Sequence, residues 1–306
     1  MACLFEVTLG SEEAGFVKEA RAALDQVDAL EAVLSVFRET SELQRVNRQA
    51  SSAPVEVSAG LMALLVLCRD LHSATGGAFD PTSTPLSRAW GFLARQGRRP
   101  SPEEIDASLA GVGMERVTLD EEGRTVSFTS RGVELNLGSV GKGWSLDQIA
   151  KSLRDRGLRR ALVNAGGSSF LGWGRDEWLV SLRPGGAPLA SLRLHRAALG
   201  TSSAGEQHFE VEGQRFGHVI DPRTGWPAAG VRSATVVSDD AARADALATA
   251  FLVGGGTLAR AYCGEHPGTV ALLVEEDEPR TIVVYGSRNG VGLDPEPDVR
   301  LAADAV

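Results

Sequence analysis

The residues best suited to chemistry lie in two short segments in the last third of the chain. Ala244-Asp-Ala-Leu-Ala-Thr-Ala250 places Asp245 and Thr249 at positions i and i+4 of a predicted helix, so that the carboxylate and the hydroxyl share one face. A carboxylate and a hydroxyl can hold Mg²⁺ together with other oxygens, including those of a phosphate. The alternative is that Asp245 faces water or pairs with Arg243 or a nearby basic group.

The second segment, His218-Val-Ile-Asp-Pro-Arg-Thr-Gly-Trp-Pro227, predicts a rigid turn. Pro222 fixes φ at the second position of a turn, and Gly225 can adopt a positive φ. The side chains that such a loop would hold in a fixed relation are those of His218, Asp221 and Thr224. The alternative is an ordinary tight turn in which Asp221 bonds to its own loop.

Glycine-rich segments follow two predicted strands. Gly138-Ser-Val-Gly-Lys-Gly143 precedes a helix, whose N-terminus favours anions, and Lys142 could contact a phosphate. A plain strand-to-helix turn explains the segment equally well. It is not a Walker loop, because Asn136 and Gly143 stand where that motif requires Gly and Ser or Thr. Asn164-Ala-Gly-Gly-Ser-Ser169 has the same two interpretations.

Composition excludes several classes of protein. The net charge of −9 over 306 residues argues against nucleic acid, which basic patches bind. The sequence has no run of 18 apolar residues, so it predicts no transmembrane helix. Its three cysteines are too few and too scattered to predict a disulfide framework. The sequence as written shows no recognisable leader peptide and therefore predicts a cytoplasmic protein. If a leader had been removed from it, we would instead expect a protein of the cell envelope or periplasm.

Hydrophobic periodicity predicts an α+β protein with antiparallel sheets flanked by helices. Helices are predicted over about Glu12–Phe37, from Ser58 as N-cap to Gly76, within 101–112, over about Gly143–Arg156 and over about Ala241–Val253. Strands are predicted at 1–7, 116–119, 125–128, 133–137, 161–164, 178–182, 189–194, 208–211, 214–216, 233–237, 270–274 and 281–285. Turn signals at Glu121-Glu-Gly123 and Glu212-Gly213 predict that the two strands flanking each form a hairpin, and 270–274 is predicted to form another hairpin with 281–285. The chain predicts one domain over 1–306, with a loosely held tail after Ser287.

Six segments occur in an order that resembles the ApbE family of FAD:protein FMN transferases. They are Gly77-Ala-Phe-Asp-Pro-Thr82, Asn136-Leu-Gly-Ser-Val-Gly-Lys-Gly143, Asn164-Ala-Gly-Gly167, Gly200-Thr-Ser202, His218-Val-Ile-Asp-Pro-Arg-Thr-Gly225 and Ala244-Asp-Ala-Leu-Ala-Thr-Ala250. Asn136 stands where the family usually has aspartate. The resemblance implies an ApbE-like, T-fold-related architecture.

The resemblance also implies roles for individual residues. Mg²⁺ would be held by Asp245, Thr249 and a main-chain carbonyl placed at Ser139. FAD would be bound by the residues Met1, Phe37, Ala78, Phe79, Asp80, Asn136, Lys142, Val219 and Ile220. His218 or Asp221, with Thr224 in the same loop, would accept or orient the proton of the hydroxyl group that attacks FAD.

The implied reaction transfers FMN from FAD to a serine or threonine hydroxyl of an acceptor protein and releases AMP. Attack by water would instead give FMN and AMP, which is Mg-dependent FAD hydrolysis. A third interpretation is a non-catalytic FAD-binding protein, in which the change to Asn136 has removed activity.

Overall fold

A computed structural model describes residues 3–184, 186–205, 207–288 and 290–303. Its α-helices are α1 Val17–Leu24, α2 Gln26–Leu34, α3 Glu42–Gln49, α4 Ala59–Ala74, α5 Thr84–Ala89, α6 Pro102–Leu109, α7 Gly141–Asp155 and α8 Ala241–Glu265. Short 3₁₀ helices cover Ser11–Phe16 and Met114–Arg116. Within these ranges no helix is both long and apolar enough to cross a membrane.

Sixteen strands complete the described secondary structure. They are β1 Phe5–Leu9, β2 Val55–Glu56, β3 Val117–Asp120, β4 Thr125–Phe128, β5 Ala161–Ala165, β6 Ser169–Trp173, β7 Trp178–Leu182, β8 Ala190–Leu194, β9 Ala197–Ser203, β10 His208–Val211, β11 Gln214–Gly217, β12 Val231–Ser238, β13 Val270–Glu275, β14 Thr281–Tyr285, β15 Val291–Pro295 and β16 Arg300–Ala303. Hairpins join many of them, as the sequence predicts, and the α+β class is confirmed.

The chain divides into two compact units. The first unit comprises the described residues of 1–29, 140–205 and 229–306. Its main sheet has the order β1-β5-β6-β9-β12-β13-β14-β16, and every neighbouring pair is antiparallel except β14–β16. A second sheet has the order β15-β8-β7. The prediction of one domain over the whole chain stays a prediction.

Helices α7 and α8 lie against the main sheet of the first unit. Helix α7 packs on β5 and β6, α8 packs on β9 and β12, and the two helices pack on each other. Leu146, Ile149 and Leu153 from α7 and Ala241 and Ala244 from α8 belong to one buried core cluster. Burying these apolar side chains is the main force that fixes both helices on the sheet.

The second unit comprises 30–139 and the described residues of 206–228. It contains helices α3 to α6, the sheet β2-β4-β3 and the hairpin β10-β11. Ser58 and Ser101 cap α4 and α6 through their hydroxyls, as expected of serine at these positions. Trp90 is fully buried, and its indole N–H donates to the Gly225 carbonyl (2.8 Å).

Two sequence predictions of secondary structure in the first half of the chain are wrong. The helix predicted over 12–37 is a 3₁₀ turn followed by α1 and α2, and it ends at Leu34. Ser35 ends it because its hydroxyl accepts the Phe37 N–H and its carbonyl accepts the Ser41 hydroxyl. Residues 133–137 form no strand, because the Asn47 side chain pairs with both backbone groups of Leu135.

The segment after Ser287 also differs from the predicted loose tail. Strand β15 pairs with β8, and β16 pairs with β14. Helix α8 continues twelve residues beyond its predicted end at Val253, across a kink at Gly255 with φ of +63°. Glycine tolerates this left-handed conformation, so the run of glycines bends the helix without ending it.

Candidate active site

Asp245 is a buried carboxylate in the second turn of α8. The residue is 4% exposed, and both of its oxygens accept hydrogen bonds. Oδ2 accepts from the backbone N–H of Gly143 (2.7 Å), and Oδ1 accepts from the hydroxyl of Ser169 (2.7 Å). Asp245 therefore does not face water, and its two oxygens bond to Gly143 and Ser169 instead of Arg243; of the nearby basic groups, Lys142 interacts with its charge.

Two glycines allow α8 to come this close to its neighbours. A Cβ added at Gly143 would collide with the Ala241 carbonyl. A Cβ added at Gly200 would lie 2.6 Å from the carbonyl carbon of Ala244 and from the backbone nitrogen of Asp245. Any other residue at either position would push α8 away, and the hydrogen bonds to Asp245 would lengthen.

Burial raises the pKa of Asp245, because an ionised carboxyl is costly to remove from water. The nearby Lys142 charge and the hydrogen bonds from Ser169 and Gly143 act in the opposite direction. The charge of Asp245 is therefore only partly compensated by the protein. A divalent cation beside it would supply the missing compensation.

Two further hydroxyl groups lie near the backbone of Asp245. Thr249, one turn further along α8, has its Oγ1 3.0 Å from the Ser202 Oγ of β9 and 3.4 Å from the Asp245 carbonyl. Asp245 and Thr249 thus share one helix face, as their spacing predicts. Ser169 and Ser202 belong to glycine-containing segments, and their positions in the sequence alone predict no contact with Asp245 or Thr249.

This donor set is suited to a hard cation. In the described residues no group of three or more His, Cys, Asp or Glu side chains converges. One carboxylate with neighbouring hydroxyls suits Mg²⁺, which keeps several waters and binds through one or two carboxylates and substrate phosphates. Ser139, the third predicted ligand, belongs to the second unit, and its participation stays a prediction.

The loop 218–227 in the second unit is held together by its own residues. Asp221 Oδ1 accepts from the backbone N–H and Nε of Arg223 (2.9 and 2.8 Å), and Oδ2 accepts from Arg223 Nη2 (2.8 Å). The Asp221 carbonyl accepts the Gly225 N–H, and Gly225 has the predicted positive φ of +76°. Asp221 therefore bonds to its own loop, which is one of the two arrangements that the sequence allowed.

The remaining predicted residues of this loop differ in exposure. His218 is half-buried, and its Nδ1 lies 3.2 Å from the Gln207 carbonyl. Thr224 is exposed, and its hydroxyl accepts the Trp226 N–H (3.3 Å). Val219 is half-buried, whereas Ile220 is 6% exposed and belongs to the apolar cluster around Trp90.

The turn at 77–82 is also buried within the second unit. Ala78 and Phe79 are each 1% exposed, so in this structure they pack the turn. Asp80 accepts the Thr82 N–H (2.8 Å), and its Oδ2 lies 3.2 Å from His72 Nε2. The hydrogen bond to Asp80 raises the pKa of His72. Sequence reasoning missed His72, because a histidine near a helix C-terminus carries no motif.

Three further predicted residues have different environments. Asn136 is half-buried and accepts the Gly138 N–H through Oδ1 (2.9 Å), a turn that aspartate would also form. Phe37 is 78% exposed, which leaves its ring open to a planar partner. Met1 lies outside the described residues.

Comparisons with known proteins identify the family. Residues 1–274 match the model of the ApbE family, and the chain belongs to this family. A protein of Treponema pallidum (strain Nichols) named FAD:protein FMN transferase is 34% identical over 85% of this chain and 79% of its own length. A protein of the same name from Vibrio cholerae is 32% identical over 80% of this chain and 76% of its own length.

Solved structures agree with this assignment. The ApbE protein of Thermotoga maritima superposes with a TM-score of 0.81 at 28% identity, and the match covers 96% of each chain. The flavin transferase ApbE of Vibrio cholerae gives a TM-score of 0.74 at 24% identity, over 97% of this chain and 95% of its own, and supports the fold.

Proposed function

We propose that this protein transfers FMN from FAD to a serine or threonine hydroxyl of an acceptor protein, with Mg²⁺ bound and AMP released. The observation that carries the proposal is the buried carboxylate of Asp245, which accepts the Ser169 hydroxyl and the Gly143 N–H at the N-terminus of α7 and interacts with the charge of Lys142. Membership of the ApbE family and the names of the curated relatives support the same reaction.

Asp245 and Thr249 would hold the Mg²⁺, joined by the main-chain carbonyl of Ser139. When bound, the ion would neutralise charge on the pyrophosphate oxygens of FAD. Lys142 stands in the first turn of α7, next to backbone N–H groups that favour anions. It would stabilise the charge that develops on the departing AMP.

The reaction exchanges one oxygen–phosphorus bond for another. The acceptor hydroxyl oxygen would bond to the FMN phosphorus while the bond from that phosphorus to the bridging oxygen breaks, and AMP leaves. The hydroxyl proton would pass to His218, whose imidazole can accept it near neutral pH. Asp221 is the weaker candidate, because Arg223 already occupies both of its oxygens. Thr224 would help to position the acceptor.

The exposed ring of Phe37 would stack on the flavin, since aromatic rings make favourable offset or edge contacts with planar partners. The backbone around Val219 and Ile220, together with Asp80 and Asn136, would border the ligand. Ala78 and Phe79 would act by supporting the turn that carries Asp80. A contact from Met1 stays a prediction.

The experiment combines the full-length protein with FAD, MgCl₂ and a flavoprotein acceptor that has a Ser or Thr attachment site. The same acceptor with that residue changed to Ala is the control. AMP is quantified by chromatography, and bound flavin is measured by its fluorescence after denaturing electrophoresis. AMP together with a fluorescent acceptor, and no label on the Ala form, supports transfer.

Other outcomes overturn the proposed reaction. AMP and free FMN without labelled acceptor would make the protein a hydrolase, and binding of FAD without AMP would make it a non-catalytic flavin-binding protein. The Asp245→Ala variant should lose AMP release by at least ~100-fold, because the ligand of the ion is gone. Asp239→Ala is the control, since Asp239 is exposed and pairs with Arg288, and it should keep full activity. Full activity of Asp245→Ala would refute the metal assignment.

A further inference from the structure

Asp147, in the second turn of α7, binds the N-terminus of α8. Its Oδ1 accepts the backbone N–H of Ala241 and its Oδ2 accepts that of Ala242, both at 2.9 Å. These are the first two residues of α8, whose N–H groups have no partner within the helix. Neither the family resemblance nor the proposed reaction gives Asp147 a role.

The arrangement is reciprocal. Asp147 of α7 accepts from the first turn of α8, and Asp245 of α8 accepts from Gly143 in the first turn of α7. Each helix therefore supplies a carboxylate to the N-terminus of the other. This double cap fixes α8 against α7 at the level of Asp245, within about one helical turn of the amides that Asp147 holds.

No other described side chain duplicates this function. Asp240, the N-cap residue of α8, accepts the N–H of Arg243 (2.8 Å). Ala241 and Ala242 are 0% and 1% exposed, so water would not replace Asp147 easily. Removing the carboxylate would leave two buried amides without an acceptor, and the first turn of α8 would shift or fray.

We propose that Asp147 is a positioning residue that, through the first turn of α8, holds the Asp245 carboxylate in the orientation that binds a divalent cation. The inference rests on the proposed function, because it assumes that Asp245 is the metal ligand.

The charges around Asp147 link its ionisation state to the presence of a cation at Asp245. Burial raises the pKa of Asp147 to about 7, the two backbone hydrogen bonds oppose this shift, and Asp240 and Asp245 add to it. Arg154, on the same helix, is the cation that interacts with it. A cation bound at Asp245 would weaken the repulsion between the carboxylates and so favour ionised Asp147, the form that best accepts both N–H groups.

The test is a titration of the full-length protein with Mn²⁺ in the absence of FAD. Electron paramagnetic resonance measures the concentration of free Mn²⁺ at each step. The variants are Asp147→Asn, Asp245→Ala and Asp155→Asn. Asp155 lies on the same helix, and its exposed side chain pairs with Lys151, so Asp155→Asn makes the same chemical change outside the double cap. Asp147→Asn should weaken Mn²⁺ binding by roughly 10-fold or more, the usual effect of losing a residue that orients a ligand.

The Mn²⁺ titration tests the inference about Asp147 separately from the metal assignment at Asp245. If Asp147→Asn and Asp155→Asn both bind Mn²⁺ within about twofold of wild type while Asp245→Ala does not bind, the inference about Asp147 is wrong and the metal assignment stands. If the wild-type protein binds no Mn²⁺, the metal assignment in the proposed function fails, and the inference fails with it.

Two further measurements separate positioning from general stability. In the AMP-release assay, Asp147→Asn should raise the Mg²⁺ concentration for half-maximal rate, and excess Mg²⁺ should restore most of kcat. Should the variant fail to fold, hydrogen exchange of wild type gives the answer. Mg²⁺ should slow exchange in the segment 240–246, and unchanged exchange there would overturn the proposal.

Discussion

The surroundings of Asp245 and the loop 218–227 are both candidate sites, but they are built in different ways. Asp245 receives its hydrogen bonds from residues 102 and 76 positions away in the sequence, on α7 and β6. Asp221 receives its hydrogen bonds from Arg223, two positions away. One site depends on how distant elements pack, and the other depends on local turn chemistry.

This difference predicts how each site responds to change. Around Asp245, a single extra methyl group would displace a helix, because backbone lies against backbone at Gly143 and Gly200. In the loop, the Arg223 side chain is 43% exposed, so solvent screens its ion pair with Asp221. The first site should therefore be sensitive to mutation and the second tolerant.

The largest effect is expected for Gly143→Ala. The new Cβ would meet the Ala241 carbonyl, which is backbone and cannot rotate away, so the free energy of unfolding should fall by ~3 kcal/mol or more. Urea unfolding followed by circular dichroism measures the change. Gly264→Ala is the control, because a Cβ there meets nothing within 4 Å, and it should stabilise α8 by ~0.5–1 kcal/mol. Equal effects of the two variants would contradict the proposed close packing.

A smaller effect is expected from pH, through Asp147. Its pKa is raised to about 7 in the folded protein, so between pH 4 and 7 the unfolded chain loses this proton before the folded one does. Stability must therefore fall as pH rises through this range and stay constant above it. The full shift corresponds to ~4 kcal/mol, and partial exposure of the side chain should reduce this to ~2 kcal/mol.

Comparison with Asp147→Asn isolates this contribution. The variant lacks the titrating group, so the difference between its free energy of unfolding and that of wild type should change between pH 4.5 and 7.5, in favour of the variant at higher pH. A difference that is independent of pH would show that Asp147 titrates normally. The measurement is made without divalent cations, since a bound ion would lower the pKa of Asp147.

The smallest effect is expected for Arg223→Gln in the loop. Because the ion pair with Asp221 is partly exposed, its loss should cost only ~0.5–1 kcal/mol, and the cost should shrink in 1 M NaCl. Urea unfolding at low and high salt measures both. A loss above 2 kcal/mol would mean that the loop depends on more than its local bonds, and the contrast between the two sites would then be weaker.

Much of the local structure could be predicted from the sequence. The Ser58 cap and the apolar stripe Leu61, Leu64, Leu65, Cys68 and Leu71 predict α4, and all five stripe residues are buried. Two hairpin signals predict β3–β4 and β10–β11 with the observed partners. These signals are local, because capping, turn formation and amphipathic spacing act within a few residues.

Other features could not be predicted because distant residues decide them. Val133–Leu137 has the composition of a strand, but the Asn47 side chain takes both hydrogen bonds of Leu135. Strands β6 and β9 were missed because glycines interrupt them, and those glycines fit the close approach of neighbouring elements. Ser169 and Ser202 became candidate site residues only once these strands were placed.

The sequence by itself determined the α+β class, most hairpins and the shared helix face of Asp245 and Thr249, because hydrophobic periodicity and turn formation depend on residues that are close in the sequence. Only the tertiary structure decided that Asp245 is buried, that Ser169 and Gly143 bind it, and that Asp147 caps α8. These features join residues up to 102 positions apart, and their relation depends on how α7, α8 and the main sheet pack in the first unit.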